Sequence, residues 1–204
     1  MRRVIPVFLF LALLALPTNQ SNAQLGFAAG LNFESISDIE TSGLQGTYES
    51  ASGYHAGLFV DFGAGPIGLR VGAFYRELGE FDISLSGLQQ TVDVSSLDFP
   101  IDLRFAVIPT PVIKPYLTAG PVFSIPRSSD EEYDESLEDV TVAGNIGFGL
   151  EINAGGLKLL PEFRYVVGVT PFVKNEFTLG GRTFVAEKND QRSNSAMLRL
   201  GILF

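Results

Sequence analysis

Met197-Leu198-Arg199-Leu200-Gly201-Ile202-Leu203-Phe204 is the stretch whose reading decides the fold. Side chains of a β-strand point alternately to opposite faces. Leu198, Leu200, Ile202 and Phe204 therefore share one face, while Met197, Arg199, Gly201 and Leu203 share the other. The first face is wholly apolar and ends on an aromatic ring. The second carries a charge and a glycine, so the two faces are built for different surroundings.

The same alternation recurs along the chain. Leu25, Phe27, Ala29, Leu31 and Phe33 are interleaved with Gly26, Ala28, Gly30, Asn32 and Glu34. Apolar residues again occupy every second position at Tyr54, Ala56, Leu58, Val60 and Phe62, and at Ile67, Leu69, Val71, Ala73 and Tyr75. They do so at Leu97, Phe99, Ile101, Leu103 and Phe105, and at Leu117, Ala119, Pro121 and Phe123. Val142, Ile146, Phe148, Leu150 and Ile152 follow, then Leu157, Leu159, Pro161, Phe163 and Tyr165. With the final strand this predicts eight strands, each with one apolar face.

The connections alternate in length. After the second, fourth and sixth strands stand Gly63-Ala64-Gly65-Pro66, Ile108-Pro109-Thr110-Pro111 and Asn153-Ala154-Gly155-Gly156, all rich in turn formers. Long polar segments follow the first, third, fifth and seventh. Short turns on one rim and long loops on the other are the arrangement of outer-membrane barrels, with the short turns in the periplasm.

The start of the sequence predicts export. Met1-Arg2-Arg3 is positive, Val4 to Leu16 is almost unbroken apolar sequence, and Ser21-Asn22-Ala23 offers small residues for cleavage. Residues 1–23 read as a secretory signal peptide and 24–204 as the barrel. The apolar run is shorter than the roughly 20 residues a membrane-spanning helix needs, and no long apolar stretch follows it. A membrane protein made from this sequence must therefore be a closed barrel, in which every backbone polar group is paired.

Composition narrows the chemistry. The chain holds no cysteine, which removes disulfides, thiolate nucleophiles and cysteine metal sites. Its 14 Lys and Arg stand against 23 Asp and Glu, a net charge of −9 that cleavage after Ala23 makes more negative. Nucleic acid is excluded as a natural partner by that balance.

Alternation alone does not separate a membrane barrel from a soluble barrel with an apolar interior. The composition of the second face favours the membrane. A water-facing exterior would carry many Lys and Glu, whereas here Gly26, Gly30, Gly57, Gly68, Gly72, Gly120, Gly147, Gly149 and Gly201 fall on it. Small residues belong inside a narrow barrel. Aromatic residues also gather at the ends of the apolar face: Phe33, Tyr54, Tyr75, Phe99, Phe123 and Tyr165 toward the loops, and Phe27, Phe62, Phe105 and Phe204 toward the turns. These match the two interfacial girdles.

In this register His55, Asp61, Arg70, Arg76, Asp98, Asp102, Arg104, Glu151, Lys158, Glu162, Arg164 and Arg199 face the lumen. A polar network of paired charges plugging the barrel is the main expectation. A narrow ion or solute channel lined by the same groups is the alternative, and eight strands leave little room for it. Strand three runs on through Phe81, Ile83 and Leu85 and turns at Ser86-Gly87. The return arm places Val92 and Val94 in even register before Leu97 resumes the odd one, which predicts a β-bulge near Ser95-Ser96. Phe177 to Leu179 and Thr183 to Val185 flank Gly180-Gly181 and predict a second projecting hairpin; counting its arms as spanning strands would give ten. Such edges can recruit a further strand. Pro100 and Pro115 each delete a ladder donor, predicting bulges or strand ends.

Loop 130–139 carries Asp130, Glu131, Glu132, Asp134, Glu135, Glu138 and Asp139. A divalent cation is conceivable there, but the spacing lacks the Gly and Glu positions of an EF-hand. A solvated acidic loop is the plainer reading. His55 is the sole histidine, the sequence assigns no serine to it, and a lipid-modifying enzyme is the least favoured alternative.

Three motifs resemble those of a known family: Leu97-Asp98-Phe99-Pro100-Ile101, then Lys114-Pro115-Tyr116-Leu117 with Gly120-Pro121, and Pro161-Glu162-Phe163-Arg164-Tyr165. In order and spacing they are similar to the porin-like outer-membrane β-barrel family common in Bacteroidota. The resemblance implies an all-β, eight-stranded antiparallel up-and-down transmembrane barrel in the outer membrane of a Gram-negative cell, with no catalytic, cofactor or metal residues to carry over. Leu198, Leu200, Ile202 and Phe204 likewise resemble the C-terminal signal that the barrel-assembly machinery reads in outer-membrane proteins. The expected partners are outer-membrane lipid, that machinery during biogenesis, and an extracellular ligand or surface met by the loops. The function expected is structural or surface-interacting and non-enzymatic, and a monomer is expected.

Overall fold

Alternating faces and tight turns assemble into one closed antiparallel barrel. The computed structural model describes residues 23–36, 39–41, 44–48, 51–63, 65–85, 88–107, 112–174, 176–179, 182–185 and 191–204. Residues 1–22, most of the segment expected to be a signal peptide, and the turn residues Ser86-Gly87 and Gly180-Gly181 lie outside these. Strands are numbered in chain order as β1 (Gln24–Ile36), β2 (Ile39–Thr41), β3 (Leu44–Tyr48), β4 (Ala51–Gly63), β5 (Ile67–Leu85), β6 (Leu88–Ala106) and β7 (Ile113–Ser128). A short helix α1 (Glu131–Ser136) precedes β8 (Thr141–Ala154), β9 (Leu157–Gly168), β10 (Glu176–Leu179), β11 (Arg182–Val185) and β12 (Ser193–Leu203).

The eight predicted strands are β1, β4, β5, β6, β7, β8, β9 and β12, each pairing with its neighbours in sequence. Closure comes from β12 against β1, where Phe27 pairs with Ile202, Ala29 with Leu200 and Leu31 with Leu198. The Phe204 amide extends this seam by donating to the Leu25 carbonyl at 3.0 Å. Closing the sheet removes the edges that an apolar medium would leave unpaired.

Burial is inverted relative to a water-soluble barrel. Ile67, Leu103 and Ile146 are more than 60 % exposed on the outside, while Arg70, Asp102 and Arg164 are at most 2 % exposed inside. Water would penalise both choices, and lipid around a polar lumen favours both. Phe33, Tyr54, Tyr75 and Tyr165 ring the loop end of the exterior, and Phe27, Phe105 and Phe204 ring the turn end, all exposed. The Tyr54 and Tyr75 rings lie 6.4 Å apart in that belt.

Two local expectations are corrected. The β-bulge lies on β5: Glu77 pairs with Ser95, Gly79 pairs with Val94, and Leu78 is the extra residue. Gly79 adopts φ +102°, the left-handed conformation that a glycine supplies in such a bulge. Beyond it the inward face of β5 changes from even to odd positions, so Phe81 is buried, while β6 keeps Val92, Val94, Ser96 and Asp98 inward without interruption. Pro100 occupies neither a bulge nor a strand end. Its register with β7 is kept, and β5 pairing is merely interrupted between Val71–Ile101 and Phe74–Asp98. Pro115 does lie near the start of β7.

The long loops contain structure that the sequence pattern signalled only in part. The β2–β3 hairpin extends the sheet through pairing of Thr47 and Tyr48 with β5. The predicted hairpin of the last loop is β10 paired with β11, separate from the barrel sheet. The acidic loop folds as α1, whose N-terminus is capped by Asp130 accepting from the Tyr133 amide at 3.0 Å. Asp134 accepts from the Ser128 amide at 2.9 Å. Tyr133 and Leu137 are buried against Leu78, Phe81, Val92, Val94, Phe172 and Val173. Their cluster caps the loop end of the lumen.

Candidate functional site

Among the described residues the lumen is the place where charged side chains converge, and the β-pleat puts them there. Cross-strand pairing aligns Tyr116, Gly149, Glu162, Arg199, Gly30 and His55 in one row across the inner surface. Two glycines, Gly149 and Gly30, make room among the large side chains of that row. A Cβ on Gly149 would stand 2.4 Å from the Tyr116 ring, so glycine there lets Tyr116 lie across β8 toward Glu162. Gly26 does the same for Phe59, whose ring would be 2.3 Å from an added Cβ.

Glu162 is the hub. Its Oε1 accepts from Arg164 Nε at 2.6 Å and Arg199 Nη2 at 2.5 Å. Its Oε2 accepts from Arg70 Nη1 at 3.0 Å and the Tyr116 hydroxyl at 2.9 Å. Arg164 also bonds Asp102, whose other oxygen accepts from Asn145 Nδ2 at 2.8 Å. Arg70 reaches Asp61 at 2.8 Å, and its guanidinium carbon lies 4.7 Å from the Phe59 ring centre and 5.3 Å from that of Tyr116. These groups are almost wholly buried, where only pairing and hydrogen bonding make charge tolerable.

A second set sits toward the loops. Arg76 bridges Glu34 at 3.1 Å and Asp98 at 2.7 Å. Glu34 also accepts from Ser195 Oγ at 2.9 Å and Asn32 Nδ2 at 3.0 Å. His55 Nδ1 lies 3.4 Å from Asn32 Oδ1, and the ring packs edge-on to Phe74 at 6.4 Å. Between the two sets, beside His55, Phe74, Arg164 and Arg199, a cavity of about 30 Å³ remains. It has room for about one or two waters, one of which would satisfy His55 Nε2, partnerless among the described residues.

The third set is at the turn end, where Arg104 bonds Glu151 at 2.8 Å and Asp61 at 3.4 Å. Lys158 approaches Glu151 at 3.4 Å and donates to Gln24 Oε1 at 2.8 Å.

All the lumen residues named from the sequence therefore point inward, in three connected sets. The sequence reading omitted Glu34, Asn32, Asn145 and Tyr116. Glu34 and Asn32 share the even register of β1, so the alternation itself could have found them. It also overlooked an apolar share of the interior, in which Phe59, Phe74, Leu160 and Leu203 are buried with Ala28 and Tyr116.

The geometry is that of a polar-filled transmembrane barrel, and the sequence matches the outer membrane protein beta-barrel domain family over residues 7–182. The chain belongs to that family. Its barrel fold is shared by a solved structure of low sequence identity with a TM-score above 0.5. Neisserial surface protein A is 12% identical, with 89% of this chain and 97% of that one covered and a TM-score of 0.54. A major outer membrane protein from Thermus thermophilus is 14% identical over 90% of this chain and 98% of that one, with a TM-score of 0.48. No curated protein matches the chain. Membership places this outer-membrane barrel in the outer membrane of a Gram-negative cell.

Proposed function

We propose that this barrel is a non-enzymatic protein that works at the cell surface through its loops, with the lumen serving as a structural plug. The observation that carries this reading is the sealed interior. Glu162 and its three arginines cross the middle of the barrel. The apolar cluster of Leu78, Phe81, Val92, Val94, Tyr133, Leu137, Phe172 and Val173 covers the loop end. Solute transport would have to disrupt both. What remains for recognition is the folded loop surface built on β2–β3, the β5–β6 extension, α1 and β10–β11.

The surroundings of His55 support the absence of catalysis, since its ring faces Asn32 and Phe74 rather than a hydroxyl nucleophile. In this account the segment 1–23 directs export and is cleaved after Ala23. Leu198, Leu200, Ile202 and Phe204 are read by the assembly machinery, lipid is the surrounding partner, and the inserted protein is a monomer.

The test compares adhesion and phage adsorption on intact cells carrying either the full barrel or a form with its four long loops shortened. Loss of a surface or phage interaction on shortening is expected. Identical behaviour of the two strains toward every surface and phage tried would overturn the proposal.

A further inference from the structure

The turn end of the lumen differs electrically from the rest of the molecule. The connections on that rim, residues 63–66, 107–112 and 153–156, contain no charged residue, so side-chain charge at that end comes from the lumen mouth. There Arg104, Lys158 and Lys114 gather on one buried carboxylate, Glu151. Their side chains become progressively more accessible, at 17%, 27% and 34%, while Glu151 is 3% exposed. Among the described residues the other anion in reach is Asp61, and Arg70 holds it more tightly than Arg104 does, at 2.8 against 3.4 Å. Cations are thus in excess at the mouth of a chain whose net charge is −9.

The lysines are also poorly saturated. An ammonium has three N–H donors, yet Lys114 reaches Glu151 only at 3.5 Å and Lys158 only at 3.4 Å, with Gln24 as the second partner of Lys158. The terminal carboxylate of Phe204 lies on the same rim, and among the described residues no ion pair joins it to either lysine. Inward, the buried Phe59, Tyr116, Leu160 and Leu203 close the floor. The result is a cationic mouth on the side where outer-membrane barrels carry their short turns, the periplasm.

We infer that this mouth is an oxyanion-binding site, taking phosphate through Lys114 and Lys158 with Arg104 behind them. Ammonium groups bind phosphate as mobile point charges, and the lysines can swing outward without disturbing the buried Arg104–Glu151 pair. The phosphate group comes either from free inorganic phosphate or from a lipid headgroup bordering the mouth.

The test uses the purified, folded barrel in dodecyl maltoside micelles, which carry no phosphate, with amide chemical shifts near Lys114, Glu151 and Lys158 followed by NMR. Inorganic phosphate is titrated at constant ionic strength against chloride. Saturable shifts confined to the mouth are expected. Lys114→Gln and Lys158→Gln should each weaken binding about tenfold, the equivalent of one charge-assisted hydrogen bond. Glu151→Gln removes the competing carboxylate and should tighten binding, a gain that misfolding does not produce. In a second arm phosphatidylglycerol is added to the micelles: the same shifts without free phosphate assign the headgroup as the source, and their appearance only with free phosphate assigns the soluble ion. Shifts that chloride reproduces, or that persist in the Lys114→Gln/Lys158→Gln protein, would overturn the inference.

Discussion

The Tyr116 hydroxyl donates to Glu162 Oε2 at 2.9 Å, joining β7 to β9 over the intervening β8. Three arginines bind the same carboxylate, which makes Glu162 the residue on which the interior depends. Glu162→Gln leaves those guanidiniums without their shared anion. Breaking a buried ion pair from one side costs about 3–5 kcal/mol. The loss should appear in urea titrations of the barrel in liposomes, read by heat-modifiable gel migration because the chain has no tryptophan. Tyr116→Phe removes one hydrogen bond to a charged acceptor and should cost less, about 1.5–3 kcal/mol.

Gly149 and Tyr116 form a coupled pair. Gly149→Ala forces its new methyl into the Tyr116 ring and should destabilise the barrel by about 1–3 kcal/mol through overpacking. In a Tyr116→Ala background the same change should be nearly neutral. A double-mutant cycle reads the coupling directly, and additive effects would contradict the close approach.

Leu200 tests the outer face. It is half exposed on the exterior and paired with Ala29 and Pro161. Leu200→Arg should cost about 2–4 kcal/mol if the bilayer midplane lies there. Gly201→Ala, one residue on and facing inward, should cost less, since the nearest atom to its added Cβ is the Leu160 Cβ at 3.3 Å. Equilibrium unfolding of both variants in the same lipid separates the two faces.

These faces were legible in the sequence because period two is a strong signal when one side meets lipid and the other a polar lumen. Every spanning strand and every charged interior residue named follows from it. The cap was not legible. Phe81, Val92 and Val94 alternate with polar neighbours as residues of the spanning strands do, and nothing in that pattern says where a strand leaves the membrane. The bulge was misplaced for a related reason. The odd position of Phe81 continues the outward register only if no residue is inserted, and the glycine at 79 that permits the insertion is one of many glycines. Tyr116 was missed because an aromatic on an otherwise small and charged face looks out of place until Gly149 is found beside it.

Gly79 should therefore matter to the loops more than to the barrel. Gly79→Val places a β-branched residue at φ +102° and drives its Cβ against the Ser52 carbonyl oxygen at 2.8 Å. Limited proteolysis should show faster cleavage in the loops, with the heat-modifiable migration of the barrel retained. Loss of the barrel band would show that the bulge supports the spanning strands as well.

Phe204 ends the seam strand with its ring exposed on the turn-end girdle. If the terminal pattern is an assembly signal, Phe204→Ala should lower the amount of barrel inserted in cells while leaving the unfolding midpoint of the inserted fraction little changed. Wild-type insertion would remove the signal role.

The sealed lumen is the centre of the account, and planar-bilayer recording of the purified barrel tests it most directly. Silence is expected, both for the intact protein and after the loops are shortened, because the Glu162 network still fills the middle. Stable unitary conductance from the intact protein, altered by Arg70→Ala or Arg104→Ala, would contradict it.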